Sequence, residues 1–121
     1  MTIRCISLKT GRIGPVFSAI ILNGNAPLIA HLQKSLFYEG YYGNKPFGTV
    51  TIFCRDTRIN TTVIGGDGKI AVGTKVSDVV KKRVLNEGKM WLDRAYVVDE
   101  WYISAYEPIK NTKSQNVGIL Y

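Results

Sequence analysis

The sequence predicts an α+β fold, an antiparallel sheet of about five strands flanked by short helices. Three observations predict it. Alternating β-branched and aromatic residues dominate the chain from residue 49 onward, whereas only two segments repeat apolar residues at helical spacing. The connections between neighbouring strand-like runs are short, which makes hairpins of them and forces antiparallel pairing. At 121 residues the chain has the length of one domain, with no room for two independent cores.

Residues 13–22 are β-branched and apolar, a strand stopped by the turn residues Asn23, Gly24 and Asn25. Pro27 suits the first turn of a helix, and Leu28, Ile29, Leu32, Leu36 and Phe37 recur at helical spacing. Residues 26–37 therefore read as a short amphipathic helix. The stretch from Tyr38 to Pro46, rich in Gly, Tyr and Asn, reads as a loop. Thr49 to Phe53 fits a pleated, half-buried surface, Arg55-Asp56-Thr57 is a turn, and Arg58 to Ile64 returns as a second strand. Gly65, Gly66, Asp67 and Gly68 form a turn cluster, and Lys69 to Gly73 is short and extended.

Ser77 is an N-cap and Asp78 favours the positive end of the helix dipole. Val76, Val79, Val80 and Val84 make an apolar stripe, and Asn86 and Gly88 stop the helix. Trp91 to Val98 and Trp101 to Pro108 form a hairpin about Asp99-Glu100, and Val117 to Tyr121 is the final strand.

Composition narrows the function. Sixteen basic against nine acidic residues give a net charge of +7, which raises the possibility of an anionic partner. The basic residues are scattered, and their one cluster, Lys81, Lys82 and Arg83, reads as the solvated face of a helix. Cys5 and Cys54 make no metal-binding spacing, and whether they pair stays open. His31 is the sole histidine and lacks the context of a hydrolase or a metal site. The glycine cluster at 65–68 joins two strand-like segments instead of opening a helix, so it reads as a tight turn and not as a phosphate cradle. No catalytic group, cofactor or metal is expected. No apolar run is long enough to span a bilayer.

An ordered set of short motifs carries a resemblance. Thr51-Ile52-Phe53, Asp56-Thr57-Arg58-Ile59 and Thr62-Val63 are followed by Asp67-Gly68-Lys69 and Gly73-Thr74-Lys75-Val76. Arg94-Ala95-Tyr96-Val97-Val98, Trp101-Tyr102, Ala105-Tyr106-Glu107-Pro108-Ile109 and Gly118-Ile119-Leu120-Tyr121 complete the series, with Leu22-Asn23-Gly24-Asn25 as a lead-in. Over residues 15–121 the set resembles the single Cache sensors, of the Cache3/Cache2-fusion group.

The resemblance implies a PAS-like fold and a non-catalytic domain outside the cytoplasmic membrane. It implies a parent receptor anchored in the inner membrane, a methyl-accepting chemotaxis protein or a histidine kinase. The implied ligand is a small molecule, often a short organic acid. Residues 1–14, with Gly11 and Gly14 before Pro15, do not supply the long N-terminal helix with which that family normally begins.

With a turn at Asp99-Glu100, Val98 stands opposite Trp101, Tyr96 opposite Ile103 and Arg94 opposite Ala105, all on one face. Asp93, Ala95, Val97, Tyr102, Ser104 and Tyr106 take the other. Alternation alone does not identify the pocket side. A small carboxylate needs a fixed cation in a partly apolar cup, so Arg94 is the expected anchor, with Tyr96, Trp101 and Ile103 on its face. Arg58 and Thr62 would add a second cation and a hydroxyl. In the competing reading Arg94 pairs with a neighbouring carboxylate. Tyr102 and Tyr106 read as structural tyrosines.

Without the long helix one apolar sheet face would meet water, so the expected partners are a small carboxylate and a second copy of the chain. The chain's own N-terminal strand is the other expected cover for that face, and nucleic acid is not an expected partner. The alternative function is a cytosolic PAS-like interaction or nucleic-acid-binding module that uses the positive charge.

Overall fold

The computed structural model describes residues 2–7, 13–37, 41–42, 45–46, 48–97 and 100–121, with the side chains of 19–37, 48–94 and 101–121. The first elements are β1 (Thr2–Ser7) and β2 (Ile13–Ser18), which pair with each other as an antiparallel hairpin. The sequence reading gave a strand over 13–22 and none before it. Helix α1 (Ala26–Phe37) follows, as its periodicity predicts. Asn25 caps it by accepting a hydrogen bond from the Leu28 amide at 3.1 Å. Within the stretch read as a loop, β3 (Tyr41–Tyr42) pairs with β4 (Lys45–Pro46).

The main sheet contains β5 (Thr51–Cys54), β6 (Thr57–Thr61), β7 (Trp91–Val97), β8 (Glu100–Lys110) and β9 (Asn116–Leu120). Its order is β6-β5-β9-β8-β7, and every neighbouring pair is antiparallel. Together with the short helices this is the PAS-like α+β fold that the sequence predicts. Gly118 is needed where β9 crosses β5, because a Cβ there would collide with the Phe53 carbonyl.

Between β6 and β7 the chain folds back over one face of the sheet. Gly65 to Gly68 makes the expected tight turn, closed by Gly68 N–H to the Gly65 carbonyl at 2.9 Å, with Gly68 at φ +76°. Helix α2 (Asp78–Lys81) then runs into a π-helical turn over Lys82–Asn86, marked by the Glu87 amide bonding to the Lys82 carbonyl at 3.1 Å. Ser77 holds the N-cap position without a side-chain cap bond. Gly88, at φ +66°, ends the segment as expected.

Each face of the sheet has its own core. On the inner face Phe53, Tyr106 and Ile119 pack under Val63, Ala71, Val76, Val80 and Val84, all buried. On the outer face Ile29 of α1, with Leu28 and Leu32, packs on Val50, Ile52, Ile59, Ile109 and Leu120. The Gly24 amide to the Ile59 carbonyl, 2.9 Å, and Asn60 Nδ2 to the Asn25 carbonyl, 2.8 Å, pin the start of α1 to β6. Helix α1 thus serves the β6 side of the sheet.

The β7–β8 register corrects one expectation. Tyr96 stands opposite Trp101, Arg94 opposite Ile103 and Leu92 opposite Ala105, a slip of two residues from the predicted pairing. The connecting positions 98 and 99 lie outside the described residues, so the predicted Val98–Trp101 pair gives way to Tyr96–Trp101. A slip of two leaves every side chain on its original face, so hydrophobic pattern cannot choose between the two registers.

Candidate functional site

The expected site residues fall into two groups. Arg58 lies on β6 directly opposite Phe53, on the inner face, and is 4% exposed. A bulge between Ile52 and Phe53 then inserts an extra residue into β6. Beyond it Thr61 pairs with Thr51 on the inner face, so Thr62 turns to the outer face beside Val50. There its hydroxyl accepts the Val50 amide at 2.9 Å. Alternation places Arg58 and Thr62 on one side; the bulge separates them.

Arg94, Trp101 and Ile103 are brought together on the outer face, beyond the reach of α1, in an open cleft of about 470 Å³ that Tyr102 also lines. Trp101 is 70% and Ile103 87% exposed. Tyr96 takes its register position opposite Trp101, and its side chain lies outside the described residues.

The inner face has a different chemistry. Arg58 Nη1 donates to Thr74 Oγ1 at 2.6 Å, and the guanidinium carbon lies 5.0 Å from the Phe53 ring centroid. The Gly73 amide to the Arg58 carbonyl and the Arg58 amide to the Thr74 carbonyl, each 2.9 Å, tie the covering segment to β6. Burial pushes the guanidinium pKa down, while the nearby Tyr106 and Tyr121 hydroxyls oppose that shift. Arginine stays charged in either case. Among the described residues no carboxylate pairs with it. Asp56 at the β5–β6 turn is already engaged by Lys81 at 2.7 Å and Lys75 at 3.5 Å.

Three buried groups able to donate lack a partner of full hydrogen-bond geometry among the described residues: Arg58 Nε, Trp91 Nε1 and Ser104 Oγ, the last facing the Tyr106 hydroxyl. The register places Trp91 opposite Tyr106, and Ser104 precedes Tyr106 by two positions on β8, so all three share the inner face. Tyr106 forms its wall, stacked on Tyr121 at 4.7 Å between centroids and 6.5 Å from Phe53. Burial, reinforced by Tyr121, pushes the Tyr106 phenol up to about 12, against the opposing pull of Arg58 and Ser104. It remains a neutral hydroxyl at physiological pH.

An unpaired buried cation costs several kcal/mol, of which contact with the Phe53 face returns only about 2. Each orphaned neutral donor adds about 1–3 kcal/mol. The arrangement fits an acceptor-rich, negatively charged group. The sequence reading named Arg58 but passed over Trp91, Ser104 and Thr74. Ser104 and Tyr106 stand on its second face, and the signal available was a serine alternating with Tyr102 and Tyr106.

The single Cache domain 3 family matches residues 20–121. The chain belongs to that family. Cache domains are non-catalytic sensor modules of receptors and typically lie outside the cytoplasm. No curated protein matches the chain. Among the described residues no helix is long and apolar enough to cross a membrane, and no cluster of His, Cys, Asp and Glu is placed to hold a metal ion. Cys54 is exposed and unpaired, and His31 is exposed on α1.

Proposed function

We propose that this Cache domain senses a small organic acid as the extracytoplasmic module of a membrane receptor, a chemotaxis receptor or a histidine kinase. The anchor is Arg58. One observation carries the reading: a guanidinium 4% exposed, with no carboxylate against it among the described residues and its Nε unpartnered. A bound carboxylate supplies the missing charge at the Arg58 guanidinium.

Arg94, the anchor expected from sequence, is exposed on the other face, where water weakens a charge–charge contact. The basic cluster supports this reading over nucleic-acid binding. Lys81 is held by Asp56, and Arg83 bonds Glu87 at 3.2 Å, so two of its three cations are engaged within the domain.

The receptor's response follows from differential binding. An acid on Arg58 strengthens the arrangement in which residues 63–76 close over the inner face. Tyr121, at the end of β9, stacks on Tyr106, so closure reaches the last strand directly.

Calorimetry with acetate, lactate and succinate tests the anchor. At least one acid is expected to bind the wild type and Arg94→Ala alike, and to lose measurable binding in a folded Arg58→Met variant. Undiminished binding by Arg58→Met sinks the assignment.

A further inference from the structure

A cleft of about 720 Å³ that Arg58 does not line lies where the β5–β6 turn and the start of β9 meet the π-helical turn. Arg55, Lys81, Asn86 and Gln115 stand on its walls. Cys54 pairs with Thr57, so Arg55 and Asp56 alone make the turn, and of the two only Arg55 has a positive φ, +53°. A two-residue hairpin turn with positive φ at its first central position favours glycine there, because a side chain crowds the backbone. An arginine in that place strains the turn, and it sets an exposed cation on the cleft.

Among the described residues no carboxylate pairs with Arg55. Asp56, the carboxylate on the cleft wall, is already taken by Lys81 and Lys75. Arg55 and Lys81 against Asp56 leave the wall one positive charge in excess. Carboxamides surround that charge. Asn86 comes from the last position of the π-helical turn. Gln115 is held at both ends by Asn111, which donates to its Oε1 at 2.8 Å and accepts its backbone amide at 3.0 Å. Its Nε2 makes no hydrogen bond among the described residues. Asn116 Nδ2 donates to the Leu85 carbonyl at 2.8 Å and so ties the π-helical turn to β9. Leu85 and Val117 add apolar wall.

We propose that this cleft is a second binding site, and that it takes a sugar acid, a monosaccharide-sized molecule with one carboxylate and several hydroxyls. The carboxylate sits on the Arg55 guanidinium, whose planar fork matches it. The hydroxyls exchange hydrogen bonds with Asn86 and Gln115, because a carboxamide both donates and accepts. The C–H surface of the sugar lies on Leu85 and Val117. A single excess charge selects a monoanion. A bare inorganic anion would use the cation and leave the carboxamides idle, and a neutral sugar would do the reverse.

Calorimetry of the 121-residue chain with glucuronate tests the proposal, with glucose and inorganic phosphate as comparisons. Glucuronate is expected to bind the wild type and Arg58→Met alike. Arg55→Gly should weaken it more than about tenfold, through loss of a charge-assisted pair. Asn86→Ala should weaken it about threefold. Glucose and phosphate should each bind Arg58→Met at least about tenfold more weakly than glucuronate does. Without ligand, Arg55→Gly should melt at a higher temperature than the wild type, because glycine suits the turn that arginine strains.

A wild type that does not bind glucuronate overturns the proposal, as does binding that survives Arg55→Gly. Phosphate bound as tightly as glucuronate overturns it too, since the cleft would then read charge alone. A lower melting temperature for Arg55→Gly would give Arg55 a role in the fold and remove the argument from strain. Glucuronate binding lost in Arg58→Met but kept in Arg55→Gly assigns the sugar acid to the inner face. That outcome sinks this site and spares the Arg58 anchor, so the two proposals fail separately.

Discussion

The two faces of the main sheet are built from the same strands and treated in opposite ways. The inner face is roofed by residues between Val63 and Leu85, and it encloses the Arg58 cation and two further polar groups, Trp91 Nε1 and Ser104 Oγ, within an apolar shell. Among the described residues the outer face is roofed by α1, whose start is pinned to β6, and its β7–β8 half carries the exposed side chains Leu92 and Ile103. Buried polarity and exposed apolarity are each costly, and here they lie back to back across one layer of backbone. The lesson is that each defect specifies its remedy. On the inner face that is the acceptor-rich anion proposed above for Arg58.

Substitutions that treat the two faces alike should separate them. The largest effect is expected from Ile119→Ala, fully buried beneath Phe53 and Tyr106. It should cost about 3 kcal/mol in urea unfolding, and a loss below about 1 kcal/mol would mean that the inner core is loosely packed. Next comes Arg58→Met, which exchanges an unpaired buried cation for an apolar chain of similar length. Without ligand it should raise unfolding stability by about 1 kcal/mol while removing acid binding. Destabilisation instead would show that the guanidinium is already satisfied inside the domain.

The third expectation concerns the strut that holds the inner roof. The hydrogen bond from Lys81, aided by the Lys75 and Lys81 charges, lowers the Asp56 pKa from 3.8 to about 2. A carboxylate pKa lowered by folding stabilises the native state above the unfolded value and loses that contribution as pH falls through the folded one. The melting temperature of the wild type should therefore drop more steeply than that of Asp56→Asn between pH 3.8 and about 2. Parallel curves would remove the strut from the account. The smallest effect is expected from Ile103→Ala on the bare outer face, under about 0.5 kcal/mol for the dilute monomer.

Much of the architecture was readable from residue order. Helix α1 announces itself through Asn25, Pro27 and a 3.6-residue apolar repeat, and the glycine turn at 65–68 follows from backbone freedom alone. The main strands follow from β-branched alternation closed by short connections. Less of the site was readable. Arg58 stands in the expected set as a secondary cation, and its burial, 4% exposed, is what carries it to the front of the proposal. Trp91 and Ser104 stand outside the expected site because an orphaned donor is defined by what surrounds it, and neither residue type signals that alone. The hairpin β1–β2 also went unread beyond its second strand, because Gly11 and Gly14 argue against a helix without arguing for a strand at Thr2–Ser7.

By itself the sequence determined the order of the helices and main-sheet strands, the antiparallel sheet and the membership of each β7 and β8 side chain in one of two faces. Those properties are local, set by side-chain periodicity and turn chemistry. Tertiary structure decided which face was roofed, which of two registers closed the β7–β8 hairpin, and that a bulge would send Arg58 and Thr62 to opposite sides. The reason is geometric. A period of two is unchanged when the sheet is turned over or a strand slips by two residues, so only contacts from distant elements can break the tie.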